Sequence, residues 1–443
     1  MAIHVATPLL GSKKGVIYAP TPPDRVAGKV AEGRYNNKMA RYGDLAAAKG
    51  FGFLPFVFES SGRMHPQASK YMKKIAKYAS EVKRIPEGTL YNYFIKCLSM
   101  ALQKRPVTSR AAENLFWLGR YTERAENSIR LAQIVLDHLG GEEPGSRPLM
   151  AWMSATAQEN ALVLPDVPDA TQSARVFARS LIAGLCPAPG DPMAAGSYSV
   201  GFNLRALKAS ASQVRERLSR EHWNLIERTE AEFARDCAAL SSDAEYTNAE
   251  ALTALQNASE LLAAITGAQT DRMVRDDGWR LLSVGRHIER LITLSRALML
   301  GMEHGCVHDP AGFEAVVALF DSTITFHAMY QQRRDMVALI DLLVLDRDNP
   351  RSLAWVVQTL RARLAKLAGS VAPQDAELAR ALPDPAAWVL TDLSNWQRHP
   401  DGRRVWGDLV QVLDTCEAAA IDLSNELSRL HFSHAERSQS LGA

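Results

Sequence analysis

The sequence predicts an all-α protein over most of its 443 residues, on three observations. From Thr108 onward apolar residues return at three- and four-residue spacing, segment after segment, with cap and breaker residues at the segment ends. No run in that stretch has the two-residue alternation of a half-buried strand. A seven-residue string, "LGRYTER" at 118–124, also returns as "VGRHIER" at 284–290. Such self-similarity implies an internal pseudo-repeat. The expected architecture is therefore a two-lobed multi-helix domain, each lobe centred on one copy, preceded by a small basic α/β or partly disordered segment.

Charge places the boundary. Residues 1–106 carry 18 Lys and Arg against 6 Asp and Glu, whereas the rest carries 33 against 43, so the overall net charge of +2 conceals two opposite halves. Twelve lysines precede residue 107 and two follow it, while all eight tryptophans follow it. A change of base type at one point suggests segments of different genetic history, that is, a non-native fusion with its junction near Arg105–Pro106. The expected units are 1–105, a Lys-rich basic segment, 107–432, a helical domain, and 433–443, a disordered tail.

In the first unit "ATPLLGSKKGVIYAPTPPDR" is broken by Pro and Gly and reads as loop. "FGFLPFVFES" is apolar enough for a strand over 51–59, with Pro55 pushing it to an edge. "HPQASKYMKKIAKYASEVKRI" has helical spacing, with Tyr71, Ile75, Tyr78 and Val82 as its apolar stripe and lysines opposite; a second helix covers 91–103. A basic face with tyrosines fits a nucleic-acid patch or a solvated helix face.

In the second unit Thr108 and Ser109 cap the first helix and Gly140, Gly141 and Pro144 stop it. Further helices are expected to begin near 171, 202, 220, 247, 272, 311, 326, 350 and 402, with Asn349 capping and Pro350 at the first helical position of the one near 350. In "REHWNLIERTEAEFARDCAAL" the stripe is Trp223, Ile226, Phe233, Cys237 and Leu240.

The two copies hold the candidate site. Gly119, Arg120, Glu123 and Arg124 correspond to Gly285, Arg286, Glu289 and Arg290 at a shift of 166 residues. On a helical wheel Arg120, Glu123, Arg124, Asn127 and Arg130 share one side with Phe116, Trp117, Leu131 and Ile134, and the opposite side is apolar too. Such a helix is enclosed by neighbours, and its charges need partners. Arg120 with Glu123, and Glu126 with Arg130, have the spacing to pair locally. A mid-helix glycine costs about 1 kcal/mol relative to alanine, so its recurrence implies a close helix crossing or a ligand against the backbone. Two chemistries fit Arg120, Glu123, Arg124, Asn127, Arg286, Glu289 and Arg290: a buried ion-pair network, or a pocket for a carboxylate or phosphate, as in an anionic peptide or nucleotide.

Other candidates are weaker. His304, Cys306 and His308 share one loop, without the spacing of a zinc finger. "GSYSVG" at 196–201 misses the nucleophile-elbow spacing by one residue. His431 and His434 read as helix-end residues, and His222 and His327 as packed or capping ones. There is no phosphate-binding glycine loop, so no cofactor or metal is expected. Five cysteines without C-x-x-C, no secretory leader and no membrane-length apolar run point to a cytoplasmic protein with reduced thiols.

Four segments in order, "SRAAENLFWLGRYTERAEN", "REHWNLIE", "LLSVGRHIERL" and "LLVLDRDNPRSL", resemble the bacterial alpha-E domain over about 107–432. The resemblance implies an all-helical protein encoded beside, or fused behind, a circularly permuted ATP-grasp protein, often with a transglutaminase-like protease. It implies an accessory role in ATP-dependent peptide or amide-bond formation. In this chain the Lys-rich segment stands where the fused arrangement has its ATP-grasp part, and the second copy reads "ERLI" at 289–292 where "ERAD"-like residues are usual. The first segment, from "KMARYGDL" to "FIKCLSMALQKR", resembles the C-terminal tail of reverse-transcriptase-type open reading frames of mobile elements. Three functions follow, in order: an accessory module partnering an ATP-grasp ligase-type protein, an enzyme with an Arg/Glu-lined pocket, and nucleic-acid binding through the first hundred residues.

Overall fold

The computed structural model describes residues 3–6, 32, 35, 36, 38–40, 56–59 and 65–103, then 107–432 apart from 142–144, 188–198, 243–246, 332, 401 and 403. The tail over 433–443, the junction at Arg105–Pro106 and most of the loop reading before residue 30 fall outside these residues. The chain divides into two compact units, Met1–Pro106 and Val107–Ala443.

In the first unit β1 (Ile3–Ala6) pairs in parallel with β2 (Phe56–Glu59), and the first part of the expected strand, 51–55 with Pro55, falls outside the described residues. Helix α1 (Pro66–Lys83) turns through left-handed Arg84 towards α2 (Glu87–Gln103). His65 caps α1, stacks on Tyr35 with ring centroids 4.0 Å apart, and meets Glu32 at 2.8 Å. The expected stripe of α1 is corrected: Ala68, Met72 and Ala76 are buried, whereas Tyr71, Tyr78 and Val82 are exposed. Two alanines lie on the inner face and two tyrosines outside it, so bulk did not mark that face.

The second unit is helical. It contains α3 (Ser109–Leu139), α4 (Arg147–Glu159), α5 (Ala170–Gly184), α6 (Val200–Ser212), α7 (Arg220–Ser242), α8 (Asn248–Asp271) and α9 (Asp277–Glu303). There follow α10 (Pro310–Leu319), α11 (Thr323–Tyr330), α12 (Met336–Ile340), α13 (Leu353–Leu367), α14 (Glu377–Arg380), α15 (Leu390–Leu393) and α16 (Gly407–Leu427). The all-α expectation holds here, with one small exception among the described residues: β3 (Gln397–Arg398) and β4 (Arg404–Val405) form a two-residue antiparallel ladder.

Local chemistry explains most helix ends. The Thr108 hydroxyl accepts from the Ala111 N–H at the start of α3, and Gly140 closes its C-terminus. On α7 Ile226, Phe233, Cys237 and Leu240 are buried, as the spacing requires, with Trp223 partly so. Helix α9 begins at Asp277 rather than near 272, because Arg272 still closes α8 and Asp276 caps α9. Helix α13 begins at Leu353 rather than at 350. Asn349 accepts from the Arg351 N–H, two residues on, which makes a turn, and Ser352 is the cap.

Helices α3 and α9 cross at the centre of the unit, and α6, α8, α13 and α16 pack around them. Both copies of the repeat meet at this crossing. Glycine is required there: a Cβ on Gly119 would lie 2.1 Å from the Leu282 carbonyl oxygen, and one on Gly285 would lie 2.2 Å from that of Phe116. Leu282 is Phe116 shifted by 166 residues, so the two contacts are related by an approximate two-fold axis. The recurrent glycine therefore marks a helix crossing.

Candidate functional site

The crossing brings the repeated charges together. Glu123 on α3 and Glu289 on α9 each reach across to the arginines of the other helix. The Glu123 carboxylate accepts from Arg290 Nε at 2.6 Å and Nη2 at 2.8 Å, and from Arg286 Nη2 at 3.1 Å. The Glu289 carboxylate accepts from Arg120 Nε at 2.8 Å, and from Arg124 Nε at 2.8 Å and Nη2 at 2.9 Å. Each motif thus uses its glutamate as acceptor and its two arginines as donors, and the repeat forms a reciprocal clasp.

The expected local pair between Arg120 and Glu123 is corrected, because Arg120 pairs with Glu289, 169 residues away. The Glu126–Arg130 pair is present at 3.7 Å. Asn127 is buried on α3 one turn beyond Glu123, and its Nδ2 has no acceptor among the described residues. Sequence reasoning missed two members. Arg351, in the turn before α13, donates to Glu123 at 3.1 Å and also to Glu126. Ser424 on α16 accepts from Arg120 Nη1 at 2.7 Å. The string "LLVLDRDNPRSL" held the first signal, since it contains both Arg351 and Pro350, whose carbonyl accepts from Arg290 Nη1 at 3.1 Å. Ser424 gave none, being one polar residue on an amphipathic helix.

Burial sets the electrostatics. Glu123 is fully buried and Glu289 is 6% exposed. Burial pushes the Glu123 carboxyl up, but Arg290, Arg286 and Arg351 outweigh it and hold the group well below the usual carboxylate range. Burial acts likewise on Glu289, and Arg124 and Arg120 overcome it. Arg290 is pushed down by burial and by neighbouring Arg351, against the pull of Glu123. A guanidinium keeps its charge in any case. Aromatic faces take up the remaining surface of the cations: Arg120 lies 5.2 Å from the Trp117 ring centroid, and Arg124 lies 6.0 Å from that of Tyr121. Large aromatics and charges share one side of α3 for this reason.

The remaining candidates are dispersed. Cys306 is fully buried, with its thiol pushed up by burial, and His308 packs on Trp406 at 5.0 Å. No group of three His, Cys, Asp or Glu among the described residues could hold a metal ion. Ser199 of "GSYSVG" caps α6 by accepting from the Phe202 N–H. His222 is buried, and burial lowers it to about 4; His327 lies beside Phe326. His434 and the side chain of His431 fall outside the described residues.

A groove of about 1110 Å³ opens beside the C-terminal end of α9, between Met299, Met302, Met336, Trp396, Trp406 and Arg404. Arg404, on β4, stacks 4.6 Å from the Trp396 ring centroid, and no carboxylate pairs with it among the described residues. A stacked guanidinium uses its face and leaves its N–H edge for an acceptor. Among the described residues no helix is long and apolar enough to cross a membrane.

Comparison with known proteins agrees with this architecture. The chain is 28% identical over 278 residues to an uncharacterized protein of Mycobacterium tuberculosis (strain ATCC 25618 / H37Rv), and equally to one of Mycobacterium bovis (strain ATCC BAA-935 / AF2122/97). In each case the match covers 59% of this chain and 30% of the relative, so the chain spans about a third of the length of these proteins. No solved structure matches it. Residues 107–432 match Alpha-E, described as a predicted alpha-helical domain with a conserved ER motif. Glu123–Arg124 and Glu289–Arg290 are two such pairs, both in the clasp. The chain belongs to the Alpha-E family.

Proposed function

We propose that the chain is a helical accessory module that acts with an ATP-grasp ligase-type protein in peptide or amide-bond formation, with the clasp as its rigid centre. One observation carries this reading: the clasp carboxylates are already saturated by arginines of the same chain. An incoming anion at Arg120, Arg124, Arg286 or Arg290 has to displace a buried carboxylate, which costs its desolvation and its ion pair. A network of this kind suits holding two helices in one register. The partner is drawn from the family resemblance, and the cytoplasm is the compartment assigned, from cysteines without a disulfide framework. The test is co-expression of the full chain with the ATP-grasp protein encoded nearest to it. Co-purification and chain-dependent ATP turnover are expected; absence of both sinks the proposal.

A second reading, recognition of an anionic peptide by this chain itself, is favoured by Arg404 in the groove rather than by the clasp. Calorimetry with an acidic, tryptophan-containing peptide tests it. Binding that Arg404→Ala weakens and Arg124→Met spares supports the groove, and the opposite pattern returns the site to the clasp.

A further inference from the structure

Away from the clasp and the groove, two cysteines distant in sequence meet. Cys186 follows α5 and lies half-buried against the first turn of α6. Its Sγ fills the space above Gly201, the second residue of α6: a Cβ there would lie 2.4 Å from the sulfur. One turn on, Arg205 Nη1 donates to Cys186 Sγ at 3.5 Å. From α7 the buried Cys237 thiol hydrogen-bonds the same sulfur. A guanidinium and an S–H donor thus converge on one sulfur, and each favours the thiolate over the thiol.

We propose that Cys186 is a reactive thiolate and Cys237 its resolving thiol, together forming a site for two-electron oxidation by a peroxide. In the first step the Cys186 thiolate attacks one oxygen of hydrogen peroxide. The S–O bond forms, the O–O bond breaks, and hydroxide leaves and takes a proton to become water. The sulfur is oxidised to the sulfenic acid and the peroxide is reduced. In the second step Cys237 sulfur attacks Cys186 sulfur. The S–S bond forms, the S–O bond breaks, and the departing hydroxide carries off the Cys237 proton as a second water. Two thiols and one peroxide become one disulfide and two waters.

The surroundings order these steps. The hydrogen bond from Cys237 lowers Cys186 to about 6, with Arg205 adding to it, against the opposing pull of burial and of Glu230. Glu230 is itself engaged by Lys208 at 2.8 Å, which tempers its effect. Cys237 is driven strongly up by its bond to Cys186, by burial and by the Cys186 charge, with Asp236 adding to this. Conversion of Cys186 to a neutral sulfenic acid removes the charge that suppresses Cys237, at the point where Cys237 has to act. Cys306 and Cys416 are buried, and burial raises both, so Cys186 stands apart from them in chemistry.

The experiment uses the full chain. The pH dependence of iodoacetamide alkylation at Cys186, read by peptide mass spectrometry, should have a midpoint near 6. In Arg205→Met it should move up by about one pH unit. The midpoint is the diagnostic, because a thiolate of low pKa is also a weaker nucleophile and its rate at neutral pH is little changed. Substoichiometric hydrogen peroxide should yield a Cys186–Cys237 cross-linked peptide. In Cys237→Ser, dimedone should instead trap the sulfenic acid at Cys186. Circular dichroism of each variant shows whether it is folded, and Arg205→Met tests the thiolate with both cysteines in place. A midpoint in the ordinary thiol range, or oxidation of Cys186 without the cross-link to Cys237, overturns the proposal.

Discussion

Gly119 and Gly285 stand in mirrored relation, each with the backbone carbonyl of the other's helix where its own Cβ would be. Two helices can approach so closely only where both lack side chains. Gly119→Ala should therefore lower stability although alanine is the better helix former by about 1 kcal/mol. Forcing the crossing apart should cost roughly 3 kcal/mol net. Gly285→Ala should cost as much, because its clash is the same. Urea unfolding measures both, and a stabilised Gly119→Ala variant would contradict the crossing.

The two carboxylates of the clasp are unequally loaded. Glu123 serves Arg290, Arg286 and Arg351, and Glu289 serves Arg120 and Arg124. Replacing a buried partner leaves its guanidinium ions uncompensated at about 3–5 kcal/mol. Glu123→Gln should fall at the upper end of that range and Glu289→Gln below it. Equal losses in denaturant unfolding would show that Arg351 adds nothing.

The arginines also differ. The side chain of Arg290 is 7% exposed and that of Arg124 is 18% exposed. Arg290 in addition donates to the Pro350 carbonyl. Arg290→Met should lower the melting temperature more than Arg124→Met does, since it takes two hydrogen bonds from the fully buried Glu123 and the donor from that carbonyl as well. If Arg124→Met leaves stability untouched and abolishes binding of an anionic peptide or nucleotide, the clasp is a ligand site.

Acid should act through the clasp. Glu123 and Glu289 have folded-state values below the ordinary 4.5, so their contribution is fully present above about pH 4.5 and is lost as pH falls through their lowered values. Unfolding below pH 4.5 should take up protons, and stability should fall steadily towards pH 2. Glu289→Gln, with one depressed carboxyl fewer, should show a shallower fall over that window. An equal slope in wild type and variant would remove the clasp from the acid response.

The division of the chain at residue 106 has its own test. Residues 107–443 expressed alone should fold, with a melting temperature within a few degrees of the corresponding transition in the full chain. A loss of cooperative unfolding in the shorter chain would show that the first unit is needed.

The sequence by itself determined what depends on near neighbours along the chain. The Thr108 cap, the Gly140 stop, the stripe of α7 and the two-sided burial of α3 each follow from residues within a few turns, because helix hydrogen bonds and caps span three or four positions. Helix α4 was legible too, in Ser146 followed by Pro148 at the first turn, although periodicity alone passed over it. The repeated glycine announced a crossing or a ligand against the backbone, and the structure has the crossing. What only the tertiary structure decided was who meets whom. Arg120 has Glu123 within local reach yet pairs with Glu289, since the crossing sets Glu289 in its path and Glu123 is taken by Arg290, Arg286 and Arg351. Asn349–Pro350 looks like a helix start, but the Pro350 carbonyl goes to Arg290 and the helix waits until Ser352. Cys186 and Cys237, 51 positions apart, share no local pattern at all. Such contacts depend on where helices cross, and that is set by the packing of the whole unit, to which every helix contributes and which no single segment encodes.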